Sequence, residues 1–254
     1  MPEEISPLSD SARRVRPATE VARWENAAFA EKLPFSDPTD FENAWRGFIA
    51  SLEPLTIAHS RGGATAYDLS AMGFLDSDAP DTVNPSLWLQ AQLNALHHGL
   101  FEVMPGIWQV RSFDIANMTL IRGDTGWIII DPLTATEVSR AALDLANRYL
   151  GARPVSGIII THSHVDHYAG ILGVVDADDV RSGKVPLIAP AGFVQEALSE
   201  NILAGNVMGR RATYTYGNLL SPSAQGFVST GLGAALALGG TSFLVPNDLI
   251  RETC

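Results

Sequence analysis

The sequence predicts an α/β layered domain behind a mainly helical N-terminal segment. Three observations carry this. Apolar residues recur at helical spacing through about residue 98. From Ile107 onward they change to short runs of strand formers. Beyond Thr136 strands and helices alternate, the order that layers helices on a sheet.

The elements follow in order. Thr19 is placed to cap a helix bearing Val21, Trp24 and Ala28 at helical spacing. Asp37-Pro38-Thr39 opens a second helix, with Phe41, Trp45, Ile49 and Leu52 expected on one face. An irregular stretch follows, marked by Gly62-Gly63 and by the acidic run from Asp76 to Pro85. Ser86 to His98 reads as a third helix through Leu89, Leu93 and Leu96.

Strands are expected at Ile107–Val110, Asn117–Arg122 and Trp127–Asp131, with a tight hairpin over Arg122–Gly126. Thr136–Leu150 is an amphipathic helix, ended by Gly151 and Pro154. Val155–Thr161 is a buried strand that runs directly into HSHVDHYAG, and Val185–Ala189 is another. Pro190-Ala191-Gly192 opens a helix with Val194, Leu198 and Ile202 spaced by four. After about Asn206 the pattern reads as loop, rich in Gly and Ser. There is no internal repeat.

Composition removes several function classes. The 254 residues are 46% apolar and 18% charged, ordinary for a globular chain and too apolar for intrinsic disorder. The run Ile128–Ile130 is cut by Asp131, and Gly231–Val245 is Gly-rich and too short, so no membrane span is expected. With 17 basic against 28 acidic side chains the net charge is −11, which disfavours nucleic acid. The single Cys254 excludes an internal disulfide framework and a thiolate zinc cluster. The opening MPEEISPLSD lacks an apolar core, so no secretory signal is read and a cytoplasmic location is expected. No G-x-S-x-G elbow is present, and Gly231-Leu232-Gly233 lacks the third glycine of a dinucleotide fingerprint.

The informative feature is H-x-H-x-D-H. Three of six histidines, His162, His164 and His167, fall within six residues, with Asp166 among them. At this chain's own frequencies such a pattern arises by chance in roughly 2 of 10,000 chains. Imidazole nitrogen and carboxylate oxygen are the donors that Zn²⁺ and similar ions accept. His162 and His164, one residue apart, can point the same way from an extended segment, while Asp166 and His167 point elsewhere and could serve a second ion. The junction of a strand end with a helix start is where α/β sheets present ligand sites. His97-His98 reads instead as cationic placement at a helix C-terminus, and neither that pair nor His59 is expected to be a ligand.

This strand-plus-histidine pattern resembles the metallo-β-lactamase superfamily, with Asp131, closing GWIIID, at the position of that superfamily's earlier aspartate. The match is closer to its alkyl sulfatases. It rests on LPFSDPTDFENAWRG, DTVNPSLWLQAQLN, GLFEVMPGIWQVRSFDIANMTLIRGDTGWIIIDPL, THSHVDHYAG and APAGFVQEALSENILAGNVMGRRATYTYGNLL, and runs from about Pro17 to Leu249.

The resemblance implies an αββα sandwich of which this chain holds the first half. Residues 1–98 would form a helical extension packed on the catalytic domain, and residues 99–254 the first half of that domain. It implies two zinc ions, one held by His162 and His164 and one by Asp166 and His167, with Asp131 supporting them from behind. Asp166 is assigned the activation of the metal-bound water, and alkyl sulfate esters are the substrates, cleaved at the C–O bond with sulfate leaving. Arg210, Arg211 and Gln225 are candidates to contact the sulfate; Tyr214 and Tyr216 are read as packing residues. Such enzymes are longer: further glutamate and histidine ligands, a helical dimerisation domain and a lipid-carrier-like domain are not found in this sequence. Four of seven family ligand positions are therefore present, the chain reads as an N-terminal portion, and the family's homodimer is not expected to form in the same way. Two readings stay beside this one: a thioester, lactone or β-lactam hydrolase of the same superfamily, and a non-catalytic remnant that binds metal weakly or associates through an uncovered face.

Overall fold

The computed structural model describes residues 16–253; the acidic opening stretch and Cys254 lie outside the described residues. Helix α1 spans Glu20–Ala30, and its Thr19 side chain accepts from the amide of Ala22 at 3.2 Å, the cap expected from sequence. None of α1 is buried, and Trp24 is 72% exposed. Helix α2 (Thr39–Trp45) is shorter than its apolar spacing suggests. Gly47, at φ +77°, turns the chain away, and a side chain there would strike the backbone of Glu102. Ile49 therefore lies on a strand, β1 (Phe48–Ala50), and Leu52 beyond it. The other strands of this region, β2 (Thr56–Ala58) and β3 (Thr65–Asp68), pair as a separate antiparallel hairpin. Three short strands thus interleave with the helices expected there. Asn84 caps α3 (Pro85–Leu96), whose first residue is the proline favoured at that position.

Among the described residues the central sheet has eight strands, in the order β1-β4-β5-β6-β7-β8-β9-β10. Strands β4 (Gly99–Met104), β5 (Ile107–Arg111), β6 (Met118–Arg122) and β7 (Trp127–Ile130) form an antiparallel meander that β1 extends. Strands β8 (Val155–Ile159), β9 (Leu187–Pro190) and β10 (Asp248–Ile250) continue it in parallel from β7. The β6–β7 turn closes through the Gly123 amide on the Gly126 carbonyl. Helix α4 (Thr136–Leu150) makes the crossover from β7 to β8 and buries Val138, Ala142, Leu145 and Ala146. Burial alternates along β7, with Trp127 and Ile129 fully enclosed beside Leu100, Met118, Leu120 and Ile158. Burying such side chains contributes about 1.5–3 kcal/mol each relative to exposure, and this layer holds the ends of β7 and β8 still.

The C-terminal third departs from the sequence expectation. The helix opened at Gly192 is regular only as α6 (Phe193–Leu198) and widens into a π-turn over Ser199–Leu203. The spacing of Val194, Leu198 and Ile202 is thereby broken, and Ile202 is 70% exposed. The stretch read as loop after Asn206 instead contains α7 (Gly205–Tyr216). Its residues are exposed or half-buried, so no apolar stripe announces it. Strand β10 pairs β9 across some sixty residues of chain. The pairing is anchored by Asn247, which accepts from the Leu187 amide at 2.8 Å and donates to the Val180 and Val185 carbonyls. Helix α5 (Ala177–Arg181) lies between β8 and β9. Among the described residues no helix is long and apolar enough to cross a membrane.

Candidate metal centre

The site lies where β7 and β8 end side by side. Pairing continues one residue past β7, since the Asp131 amide donates to the Ile159 carbonyl at 3.0 Å. Asp131 then adopts a left-handed backbone, φ +56°, a conformation that aspartate tolerates better than most residues. Such backbone persists only where the surroundings fix it. Here the carboxylate is fixed three times: by the Thr161 amide at 2.8 Å, by the Thr161 hydroxyl at 2.7 Å and by His167 Nδ1 at 2.8 Å.

The histidine segment leaves β8 as an extended stretch and closes with a single 3₁₀ turn over Val165–His167. It is pressed against the start of α4. Gly170 donates to the Leu133 carbonyl at 2.8 Å, and a side chain at Gly170 would meet the carbonyls of Pro132 and Ala135. The three imidazoles thereby gather. The His162 ring lies 4.0 Å from that of His167 and 4.7 Å from that of His164, centre to centre. Asp166 Oδ2 stands 3.2 Å from His167 Nε2.

Hydrogen bonding assigns the donor nitrogens. The Thr161 hydroxyl spends its one proton on Asp131, so at 2.9 Å from His162 Nδ1 it can only accept. His162 therefore carries its proton on Nδ1 and presents Nε2 as a lone pair. His167 likewise gives Nδ1–H to Asp131; its Nε2 shares the second proton with Asp166 Oδ2 and becomes a donor to an ion only when that proton leaves. Burial works against a charged His167, but its bonds to Asp131 and Asp166 outweigh it and raise its pKa to about 9. Burial lowers the pKa of His162, helped by the neighbouring His167 and His164. For Asp166 burial pushes upward, and the bond to His167 prevails, leaving its pKa lowered.

The donor set fits a divalent ion in chemistry, and one donor pair fits it in spacing. Two donors on one tetrahedral zinc, each at about 2.0–2.2 Å, stand roughly 3.3–3.5 Å apart, close to the Asp166–His167 separation. Among the described residues no three histidine, cysteine, aspartate or glutamate side chains are gathered into a complete ion-holding group. The site offers a carboxylate–imidazole pair with two further rings beside it.

A cavity of about 410 Å³ opens at His164 and Asp166. Glu200, Asn201 and Arg211 also line it, together with the apolar Met208, Leu232 and Leu236. A second cavity of about 330 Å³ shares Ile115, Ala212, Tyr216 and Leu236 with the first, and is walled by Leu220, Phe227 and Leu238. Of the residues read as sulfate contacts, Arg211 lines the first cavity. Arg210, also on α7, and the exposed Gln225 line neither. Tyr214 is 91% exposed and does not pack, whereas Tyr216 is half-buried between the two cavities.

Sequence reasoning missed Thr161 and Glu200. Thr161 was readable, standing between the buried strand and His162. Glu200 was not, because only the widening of the helix into a π-turn brings it within 3.6 Å of His164 Nε2.

Comparison with known proteins agrees with this architecture. The chain is 46% identical to a linear primary-alkylsulfatase of Pseudomonas sp. over 98% of its own length and 37% of that protein's. It is 47% identical to an alkyl/aryl-sulfatase of Saccharomyces cerevisiae over 95% of its length and 37% of the relative's. The solved structure of a stereoselective inverting sec-alkylsulfatase from Pseudomonas sp. superposes with a TM-score of 0.88 at 45% identity, covering 94% of this chain and 38% of that one. The chain thus spans little more than a third of these relatives. The pattern of the metallo-beta-lactamase superfamily, whose members typically bind metal ions, matches residues 111–252. That match runs through the strand ending at Asp131 and the loop bearing His162 to His167, and it takes in more than half of the chain, which therefore belongs to the metallo-beta-lactamase superfamily.

Proposed function

We propose that this chain carries the metal- and substrate-binding portion of a hydrolase that splits alkyl sulfate esters into alcohol and inorganic sulfate. The observation that carries the reading is the pair of adjoining cavities, the first lined by His164, Asp166 and Arg211 and the second almost wholly apolar, which suits an amphiphile with an anionic head and an aliphatic tail. The three alkylsulfatase relatives support the substrate class.

His162, His164, Asp166 and His167 would hold two zinc ions. Zinc held there supplies Lewis acidity and brings the pKa of water toward neutrality. The chain's own groups do the rest. Asp131 holds His167 by Nδ1, and through Thr161 it also fixes the tautomer of His162. Asp166, which lines the cavity, orients and activates the attacking water. Sulfate is a weak base and leaves readily when a cation faces its oxygens. We assign that task to Arg211, which lines the same cavity as His164 and Asp166, and not to Arg210 or Gln225. A net charge of −11 repels an anion at long range, so its capture is local. Ile115, Met208 and Leu236 shed water from the alkyl chain.

The test is a comparison of rates with zinc-loaded protein. Sulfate release from dodecyl sulfate should exceed hydrolysis of a long-chain thioester or lactone; the reverse order would move the chain to another hydrolytic branch of its superfamily.

A further inference from the structure

The π-turn Ser199–Leu203 inverts the usual burial pattern. Its apolar Ile202 and Leu203 are 70% and 84% exposed, while the Glu200 side chain is only 26% exposed and faces the cavity. A regular helix would have kept Ile202 in register with Val194 and Leu198. Wide turns of this kind concentrate at functional sites, where they re-aim a side chain at a small cost in regularity. Here the re-aimed side chain is a carboxylate, and what it meets is His164 Nε2, at 3.6 Å.

The turn is tied to the histidine segment. Asn201 donates through one nitrogen to the Tyr168 hydroxyl at 3.1 Å and to the Ala197 carbonyl at 2.9 Å. Tyr168 directly follows His167 and meets both Phe193 and Phe243 edge-on. Glu200 is thus carried on a support anchored one residue from the donor cluster. Glu200 stands at ion-pair distance from the nitrogen of His164 opposite to the one that Asp131 bonds on His167, close enough to close into the same kind of bond.

We propose that Glu200 is a positioning residue, whose carboxylate accepts from His164 Nε2–H and so presents Nδ1 of that ring to a divalent ion. This rests on the reading of His162 to His167 as a metal centre. His164 is the most exposed of the compared site groups, at 60% for its side chain, so it has most to gain from an external restraint. A carboxylate behind a ligating imidazole fixes ring and tautomer, and its loss typically costs 10–100-fold in metal affinity.

The experiment titrates Zn²⁺ into the full chain against a chromophoric chelator, for wild type, Glu200→Ala and Glu200→Gln. Long-range proton–nitrogen correlation spectra of the zinc-bound proteins identify the nitrogen that His164 uses. Glu200→Ala should bind zinc about 10–100-fold more weakly, and Glu200→Gln, which keeps an acceptor oxygen, should recover most of that loss. His164 should bind through Nδ1 in wild type and in Glu200→Gln. Thermal melts of the metal-free variants separate a lost fold from a lost contact. Unchanged affinity in Glu200→Ala, or zinc on Nε2 of His164, overturns this inference alone. A wild-type chain that takes up no zinc overturns the metal-centre reading and this inference with it.

Discussion

The carboxylate of Asp131 meets Nδ1 of His167 at 2.8 Å across the ends of two parallel strands. Thirty-six residues separate them in sequence, and the sheet makes them neighbours. One oxygen of that carboxylate also takes the Thr161 hydroxyl, so a single side chain orients two of the three clustered imidazoles.

Replacing Asp131 therefore has two measurable effects. Asp131→Ala removes three hydrogen bonds and leaves alanine in a left-handed backbone, and should destabilise the chain by about 2–4 kcal/mol in urea denaturation. Asp131→Asn tolerates the backbone and should lose much less stability, yet bind zinc about 10–100-fold more weakly in a competition titration.

Gly170 should accept no side chain. In Gly170→Ala the new methyl meets the carbonyls of Pro132 and Ala135, both backbone, so the histidine segment must lift from α4. A loss of about 1–3 kcal/mol in unfolding free energy by urea denaturation, together with weakened zinc binding, is the expected outcome.

Glu137 gives the stability a defined acid limb. It accepts from the Ser60 amide and hydroxyl and from the Gly240 amide, pinning the β2–β3 loop and the C-terminal stretch to the first turn of α4. Burial raises its pKa, the hydrogen bonds outweigh it, and the result lies at about 2. A depressed folded-state pKa stabilises at pH above the ordinary value of 4.5, and the contribution drains away as pH falls from there to about 2. By linkage, and discounted for solvent screening, this is worth on the order of 1–3 kcal/mol near neutrality. Urea denaturation between pH 2 and 5 should show the slope in wild type and a flatter one in Glu137→Gln.

Ala212 stands at the join of the two cavities. Ala212→Phe should narrow the passage, cutting kcat/KM for dodecyl sulfate by roughly tenfold or more, since losing the burial of two or more methylenes costs at least that much. A short alkyl sulfate, whose tail ends before the join, should be affected little.

Much of this was readable from local pattern. The run of strand formers in GWIIID, the capping Thr19 and the boundaries of Thr136–Leu150 are properties of contiguous residues, and they stand where the sequence puts them. The donor types were legible for the same reason, being packed into six residues. What escaped depends on partners far along the chain. Phe41, Trp45, Ile49 and Leu52 keep a helical count, but Gly47 turns the backbone between them so that β1 can pair with β4. Helix α7 has glycine at 205 and 209 and no buried face, so neither propensity nor periodicity marks it. Glu200 reaches His164 only because the helix before it widens. Arg210 and Arg211 look alike in sequence, and it is the direction each takes from α7 that puts one in the cavity and leaves the other outside.

Zinc-dependent sulfate release by wild type and His167→Ala tests the account most directly. Dodecyl sulfate is supplied to metal-stripped protein, Zn²⁺ is added back, and inorganic sulfate is followed with time. Release that appears on zinc addition in wild type and is absent in His167→Ala is the expected result. Equal release by the two proteins, or release that ignores zinc, would contradict it.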